Sequence, residues 1–297
     1  MKVGLIELDH NDFPNIALMK ISSYHKSLGD TVEWYEPLFG GWYDIVYVSK
    51  VFSYSVDYPY EINADTVLYG GPAYGAEDLG LDSVMPDYSL YGITDTAYGY
   101  LTRGCYNNCP YCSVPKIDGN AVRKVADLKD FWDGQKYIKI MDSNLLGLAE
   151  RSVVIDLMQQ LIESRAYVDF TQGLDIRLVD DEIIDLLLQM KIKMIHFAWD
   201  DPRDSIIPQK LHHFKEKTVW GKSNVTVYVL TNFWSTLEED LMRIDKIREI
   251  GFSPYVMIYE KEKLPKGHIL LKLQRWVNTP MIFNSTKSFN EYVHGKI

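Results

Sequence analysis

The chain reads as an α/β protein: a small α/β unit at the amino end, followed by a parallel sheet that curls with its helices into a partial barrel. Apolar runs of strand length recur along the whole chain. Helical periodicity separates them through most of the second part. A glycine-rich turn and an aperiodic stretch divide the two series.

The elements come in this order. Val3–Leu8 is a short apolar strand. Pro14 can open a helix with Ile16, Ala17, Ile21, Tyr24 and Leu28 on its apolar side, closed by Gly29. Thr31–Tyr35, Asp44–Ser49 and Ala64–Tyr69 are further strands, the last running into the turn Gly70-Gly71-Pro72. This order suggests an open parallel sheet. From about Asp78 to Thr96 the residues are rich in Asp, Gly, Pro and Tyr without a period, as suits a connection.

Strands are then expected at Tyr98–Thr102, Tyr137–Met141, Tyr167–Thr171, Met194–Trp199, Val225–Thr231 and Pro254–Tyr259. Helices are clearest at Val153–Glu163, Glu182–Met190 and Leu237–Ile250, the last stopped by Gly251. Strands repeatedly separated by helices imply right-handed crossovers. The expected architecture is a partial (β/α)6 barrel of the TIM type over 93–297, with a short carboxyl-terminal extension. A small Rossmann- or flavodoxin-like domain over 1–92 precedes it.

Composition narrows the function. A formal charge of −10 argues against a surface built to grip nucleic-acid backbones. The most basic stretch, Lys116, Arg123, Lys124 and Lys129, is interleaved with Asp118, Asp127 and Asp130. No segment approaches the roughly 20 apolar residues of a membrane span. Acids follow MKVGLIEL where a signal peptide would stay apolar, so a cytoplasmic location is expected.

All 3 cysteines fall between Cys105 and Cys112. A disulfide scaffold spreads an even number across the fold, so this is not one. The spacing C-x3-C-x2-C, just past the first barrel strand, lets one loop wrap three thiolates around a soft metal centre. It also lies at the carboxyl-terminal rim, where such barrels carry their chemistry. A structural zinc site or an electron-transfer cluster takes a fourth ligand. No fourth cysteine exists, and His196, His212 and His213 are distant in sequence. Three ligands on a four-iron cluster leave one iron open.

The segment Thr102-Arg103-Gly104-Cys105, with Cys109-Pro110-Tyr111-Cys112, resembles the signature of the radical S-adenosylmethionine superfamily. The alternating β and α segments after it extend the resemblance to about Tyr259. The resemblance implies a [4Fe–4S] cluster on Cys105, Cys109 and Cys112, whose open iron binds the amino and carboxylate groups of S-adenosylmethionine. It further implies reductive cleavage to a 5′-deoxyadenosyl radical that abstracts a substrate hydrogen. The electron comes from a donor such as a flavodoxin or ferredoxin.

The same resemblance suggests cosubstrate contacts. Tyr111 matches the family's aromatic residue near the adenine, with loop packing as the alternative. Asp142 and Asn144 end the second strand in an Asp-x-Asn pattern suited to the methionine ammonium and carboxylate; either can instead cap the next helix. Arg177 is the candidate for the carboxylate, against a surface pair with Asp180 or Asp181. Asp200 stands where relatives carry a Glu for the ribose, although its shorter side chain and the neighbouring Trp199 depart from the pattern; a solvated loop acid is the alternative. Asn232, Tyr259 and Glu260 face the same rim as candidates for a substrate pocket, with packing or solvent exposure as the alternative for each.

The amino-terminal unit resembles a shortened form of the cobalamin-binding domain in one branch of that superfamily. The likeness rests on Phe13-Pro14-Asn15-x-Ala17-Leu18, on Gly29-Asp30 and on Gly70-Gly71-Pro72. The Asp-x-His-x-x-Gly motif that ligates cobalt is absent. Asp9-His10 is the nearest pair and has no matching Gly, so His10 is expected on a surface loop and cobalamin is not favoured. Two other functions stay open: cobalamin-dependent methyl transfer, and a metal-stabilised binding protein without turnover.

Overall fold

A computed structural model describes residues 1–9, 13–75 and 79–294; His10 lies outside them. The amino-terminal unit comprises β1 (Lys2–Glu7), α1 (Ile16–Ser27), β2 (Thr31–Trp34), β3 (Tyr43–Ser49) and β4 (Ala64–Gly70). These strands form a parallel sheet in the order β2-β1-β3-β4. The helix begins two residues after Pro14, because the Asn15 side chain accepts from Leu18 N–H as its cap. Gly29, at φ 84°, turns the chain out of α1. Its buried Leu18 and Ile21 pack on Val3 and Leu5. On the opposite side Ile6, Tyr43, Val46 and Val48 are covered by Tyr35, Tyr58 and Ile62, which belong to connections without a helix.

The second unit continues with β5 (Thr96–Gly99), a short antiparallel pair β6 (Thr102–Arg103) and β7 (Arg123–Lys124), and α2 (Val114–Ile117) between them. Then come β8 (Tyr137–Ile140), α3 (Arg151–Ser164), β9 (Tyr167–Phe170), α4 (Asp181–Gln189), β10 (Lys191–Ala198), α5 (Ile206–Lys217), β11 (Val225–Thr231), α6 (Leu237–Ile250) and β12 (Ser253–Ile258). Helices α7 (Ile269–Asn278), α8 (Pro280–Ser285) and α9 (Phe289–His294) complete the chain. Strands β5, β8, β9, β10, β11 and β12 form one parallel sheet in sequential order. Among the described residues β5 and β12 do not pair, so the sheet is open.

Alternation gives this sheet two unlike faces. Ile138, Ile140, Val168, Phe170, Ile195, Phe197, Val227 and Val229 join one core with Leu157, Leu187, Leu211, Phe214, Ile247 and Leu273 of the helices. Burial of this apolar surface is the main force holding the unit together. The last strand does not offer a bare edge. Asn278 of α7 accepts from Val256 N–H at 2.8 Å, and Asn278 and Gln274 both donate to the Val256 carbonyl at 3.0 Å.

One expectation is corrected. The strand expected over Tyr98–Thr102 begins at Thr96 and ends at Gly99, because Asp142 captures the amides of Leu101 and Thr102. Gly99 itself is required by a close approach: a Cβ there would stand 2.2 Å from Cγ of Phe131. Beyond β12, Leu270, Leu273, Trp276 and Val277 of α7 are buried in the main core. Among the described residues, no helix is long and apolar enough to cross a membrane.

Candidate metal and cofactor site

The cysteines lie on the loop between β6 and β7, at the carboxyl end of β5. Its entry is fixed from below by Asp142. The carboxylate accepts from Leu101 N–H at 2.8 Å, from Thr102 N–H at 2.6 Å and from the Thr102 hydroxyl at 2.5 Å. Full burial pushes this carboxyl up to about 7 despite the three donors. Arg103 clamps the same entry, bonding Asp82 at 3.0 Å and Asp118 at 3.1 Å while its guanidinium covers the Tyr100 ring. Gly104 has φ 88°, and a Cβ on it would stand 2.1 Å from the Ala121 carbonyl oxygen. The two legs of the loop therefore approach as only glycine permits.

Within the loop Cys105 N–H donates to Gly119 O at 3.2 Å and Cys112 N–H to Cys109 O at 3.0 Å. All three thiols are partly exposed and none is in a disulfide. Burial pushes the Cys112 thiol up, and the nearby Cys109 and Cys105 push the same way. Three thiolates gathered in one short loop repel one another unless a cation is shared among them. Among the described residues, no three His, Cys, Asp or Glu side chains are grouped as they would be for a single metal ion. A four-iron cluster sets a different requirement, since each thiolate binds its own iron.

Asn144 stands beside this loop. Its Nδ2 is 3.6 Å from Cys105 Sγ, and its buried Oδ1 has no partner among the described residues. A buried acceptor without a donor next to the Cys105 thiol is a polar group whose hydrogen bond is unmade. The donor set and this orphan acceptor fit a [4Fe–4S] cluster carrying a cosubstrate with an ammonium group.

Three other candidates are tied to the cysteine loop or to its neighbours. Asp175 accepts from Asn107 of the loop at 3.1 Å and from Arg177 Nη2 at 2.6 Å. Burial disfavours its charge, but the Arg177 bonds prevail and hold the carboxyl below its usual range. Arg177 thus pairs with Asp175 rather than with Asp180 or Asp181. Tyr111 donates to Asp200 Oδ2 at 2.8 Å, while Leu230 N–H donates to Oδ1 at 3.2 Å. Burial pushes both the Tyr111 phenol and the Asp200 carboxyl up. Tyr111 also meets Phe233 and Trp234 edge-on, with ring centroids 5.4 Å and 5.8 Å away.

Sequence reasoning does not find this aromatic wall, although Phe233 and Trp234 directly follow the candidate Asn232. Asn232, at φ 64°, donates to the Tyr259 carbonyl at 2.8 Å, and the Tyr259 ring meets Phe233 at 4.9 Å. Glu260 instead pairs with Lys263 on the exposed side. Nor does it find Arg243, wholly buried on α6, whose Nη1 bonds the carbonyls of Trp199 and Asp200 at 2.6 Å and 2.8 Å. The basic stretch is internally neutralised: Lys124 pairs with Asp127 at 2.6 Å, and Arg123 bonds the Asp118 carbonyl at 2.7 Å.

No protein-family model matches the chain, and no curated protein is significantly similar to it.

Proposed function

We propose that this chain is a radical S-adenosylmethionine enzyme with a [4Fe–4S] cluster on Cys105, Cys109 and Cys112. One observation carries the reading: three thiols at C-x3-C-x2-C spacing share a loop at the carboxyl end of the first strand of a parallel sheet. The unpartnered Asn144 Oδ1 beside Cys105 supports it. When bound, the cluster and S-adenosylmethionine supply one-electron cleavage of the sulfonium to a 5′-deoxyadenosyl radical for C–H activation. The electron has to come from outside, from a flavodoxin- or ferredoxin-like donor.

The chain's own residues then have distinct tasks. Asn144 Oδ1 accepts from the methionine ammonium. Arg177, held by Asp175, offers its half-exposed guanidinium to the carboxylate. Asp200 and Tyr111, bonded to each other, would line the side toward the ribose and adenine. Sequential strands with all helices of the core on one side support a partial (β/α)6 barrel over 93–297. The domain over 1–92 acts as a cover without cobalamin, consistent with Phe13 lying against Lys139 and Tyr98 of the sheet.

The test is anaerobic purification with iron and sulfide analysis, then incubation with dithionite and S-adenosylmethionine. Near four irons and four sulfides per chain, with 5′-deoxyadenosine and methionine released, are expected on the cluster stoichiometry. One zinc without sulfide overturns the proposal and leaves a metal-stabilised binding protein. Corrinoid retained through gel filtration points instead to methyl transfer.

A further inference from the structure

The sheet face away from the helices carries polar side chains where a barrel interior is ordinarily packed with branched apolar ones. Tyr98 of β5, Lys139 of β8, Asp169 of β9, His196 of β10 and Tyr228 of β11 alternate with the core residues and therefore share this face. Lys139 and Asp169 are direct partners across the strand pair β8–β9. Opposite charges side by side on neighbouring strands are within reach of one another. Here, among the described residues, no ion pair joins them. Lys139 Nζ lies 4.6 Å over the Phe13 ring, and buried Asp169 Oδ1 has no hydrogen-bond partner.

The surroundings reinforce the gap. Thr171, two residues on, turns its buried hydroxyl toward the Asp169 carboxyl and has no other polar partner among the described residues. His196 donates from Nδ1 to the Phe170 carbonyl at 3.0 Å and stays 3.8 Å from Asp169 Oδ1. That leaves Nε2 as an acceptor in the neutral ring. Its ring stacks on Tyr228, with centroids 5.1 Å apart and planes 11° from parallel. The face thus offers a cation on one side, a carboxylate on the other and a flat aromatic surface beside them.

We propose that the Lys139–Asp169 gap is a binding site for a small molecule bearing a planar amide, its carbonyl taken by Lys139 and its N–H by Asp169. A carboxamide, lactam or ureide places an acceptor next to a donor in one plane, matching this pair and the His196–Tyr228 surface. A small zwitterion such as glycine, or a polyol such as glycerol, would leave the flat His196–Tyr228 surface unused. The site lies below the cysteine loop on the same sheet, so it gives the proposed radical chemistry a substrate class. It rests on that reading only for the reaction after binding, since binding itself needs no electron.

The experiment is ligand-observed NMR on the full-length protein as purified, with uracil, nicotinamide and 2-pyrrolidinone as probes at millimolar concentration. Glycine and glycerol are the comparison compounds. The amides should bind and the comparison compounds should not. Asp169→Asn and Lys139→Met should each weaken the amides by about tenfold, the scale of losing one charge-assisted bond. The exposed change Asp185→Asn on α4 should leave binding unaltered. Circular dichroism distinguishes a folded variant from a collapsed one, and His196→Gln gives a second, milder probe. No amide binding, equal binding of glycine or glycerol, or amide binding untouched by both site variants overturns the inference. Because cluster content is measured separately, loss of this site and loss of the radical-enzyme reading are different results.

Discussion

The Tyr111 hydroxyl donates to Asp200 at 2.8 Å, joining the cysteine loop to the end of β10 across 89 residues of sequence. The bond lies among Phe233 and Trp234, so little water competes for it. Tyr111 sits between Cys109 and Cys112, and Asp200 immediately follows buried Trp199. The geometry of the loop is thereby coupled to the rim of the sheet.

Removing that hydroxyl leaves a buried carboxylate oxygen without its donor. Tyr111→Phe should destabilise the protein by about 1–3 kcal/mol, measured by urea unfolding of anaerobic protein. A loss within a few tenths of a kcal/mol would mean that water replaces the phenol and that the coupling is weak.

Gly104 and Gly119 separate two effects in one loop. Both have positive φ, but only at Gly104 does an added Cβ meet the Ala121 carbonyl, at 2.1 Å; nothing lies within 4 Å of Gly119. Gly119→Ala should show only the left-handed backbone penalty, about 1–2 kcal/mol. Gly104→Ala must move the loop leg and should also lower the iron retained per chain. Equal iron content in the two variants would show that the approach of the legs does not shape the cysteine site.

Much of this architecture is legible in the sequence because local signals are self-consistent. Val225–Thr231 alternates as VTVYVLT and becomes β11 with the expected bounds. Leu237–Ile250 is likewise found as read, framed by the Thr236–Glu239 capping box and Gly251 at φ 96°. Helix α5 escapes periodicity because charged residues dilute its stripe, leaving only Ile207, Leu211 and Phe214 buried. The end of β5 is hidden because Tyr100 and Leu101 continue the apolar run, while the group that ends it, Asp142, lies 41 residues away. The cysteines announce themselves by spacing. The partners of Arg177 and Asp200 do not, because long-range pairing leaves no periodic trace.

Asp142 yields a pH dependence. Its carboxyl is raised from an ordinary value of roughly 4 to about 7 in the folded chain. Between those values the unfolded chain has lost the proton and the folded chain still holds it, with the Thr102 hydroxyl free to turn and accept from it. Stability from this group is therefore full below about pH 4 and is lost as pH rises through about 7. The slope is at most about 1.4 kcal/mol per pH unit. Asp142→Asn has no proton to lose, so its urea stability should fall less steeply over that window. Parallel profiles would assign the proton elsewhere.

The deepest charge pair tests how the rim is supported. Arg243 and Asp240 are both fully buried and meet at 2.5 Å, while Arg243 also bonds the carbonyls of Trp199, Asp200 and Leu230. Burial works against the guanidinium and lowers its proton affinity, but the neighbouring Asp240 opposes that shift. Arg243→Met strands the Asp240 charge and three carbonyls, and should cost about 3–5 kcal/mol. Asp240→Leu alone removes one partner and leaves Arg243 its carbonyl bonds, so its cost should be smaller. The double variant should recover part of the Arg243→Met loss, because the stranded charge is gone, yet remain below the parent, because the carbonyls stay unpaired. Arg243→Lys keeps the charge without the forked donors that span β10 and β11, and should restore little. Strictly additive losses across the double-mutant cycle would show the two residues acting independently. Full recovery in the double variant would show instead that the carbonyls at the strand ends do not need Arg243 to hold Asp200 in place.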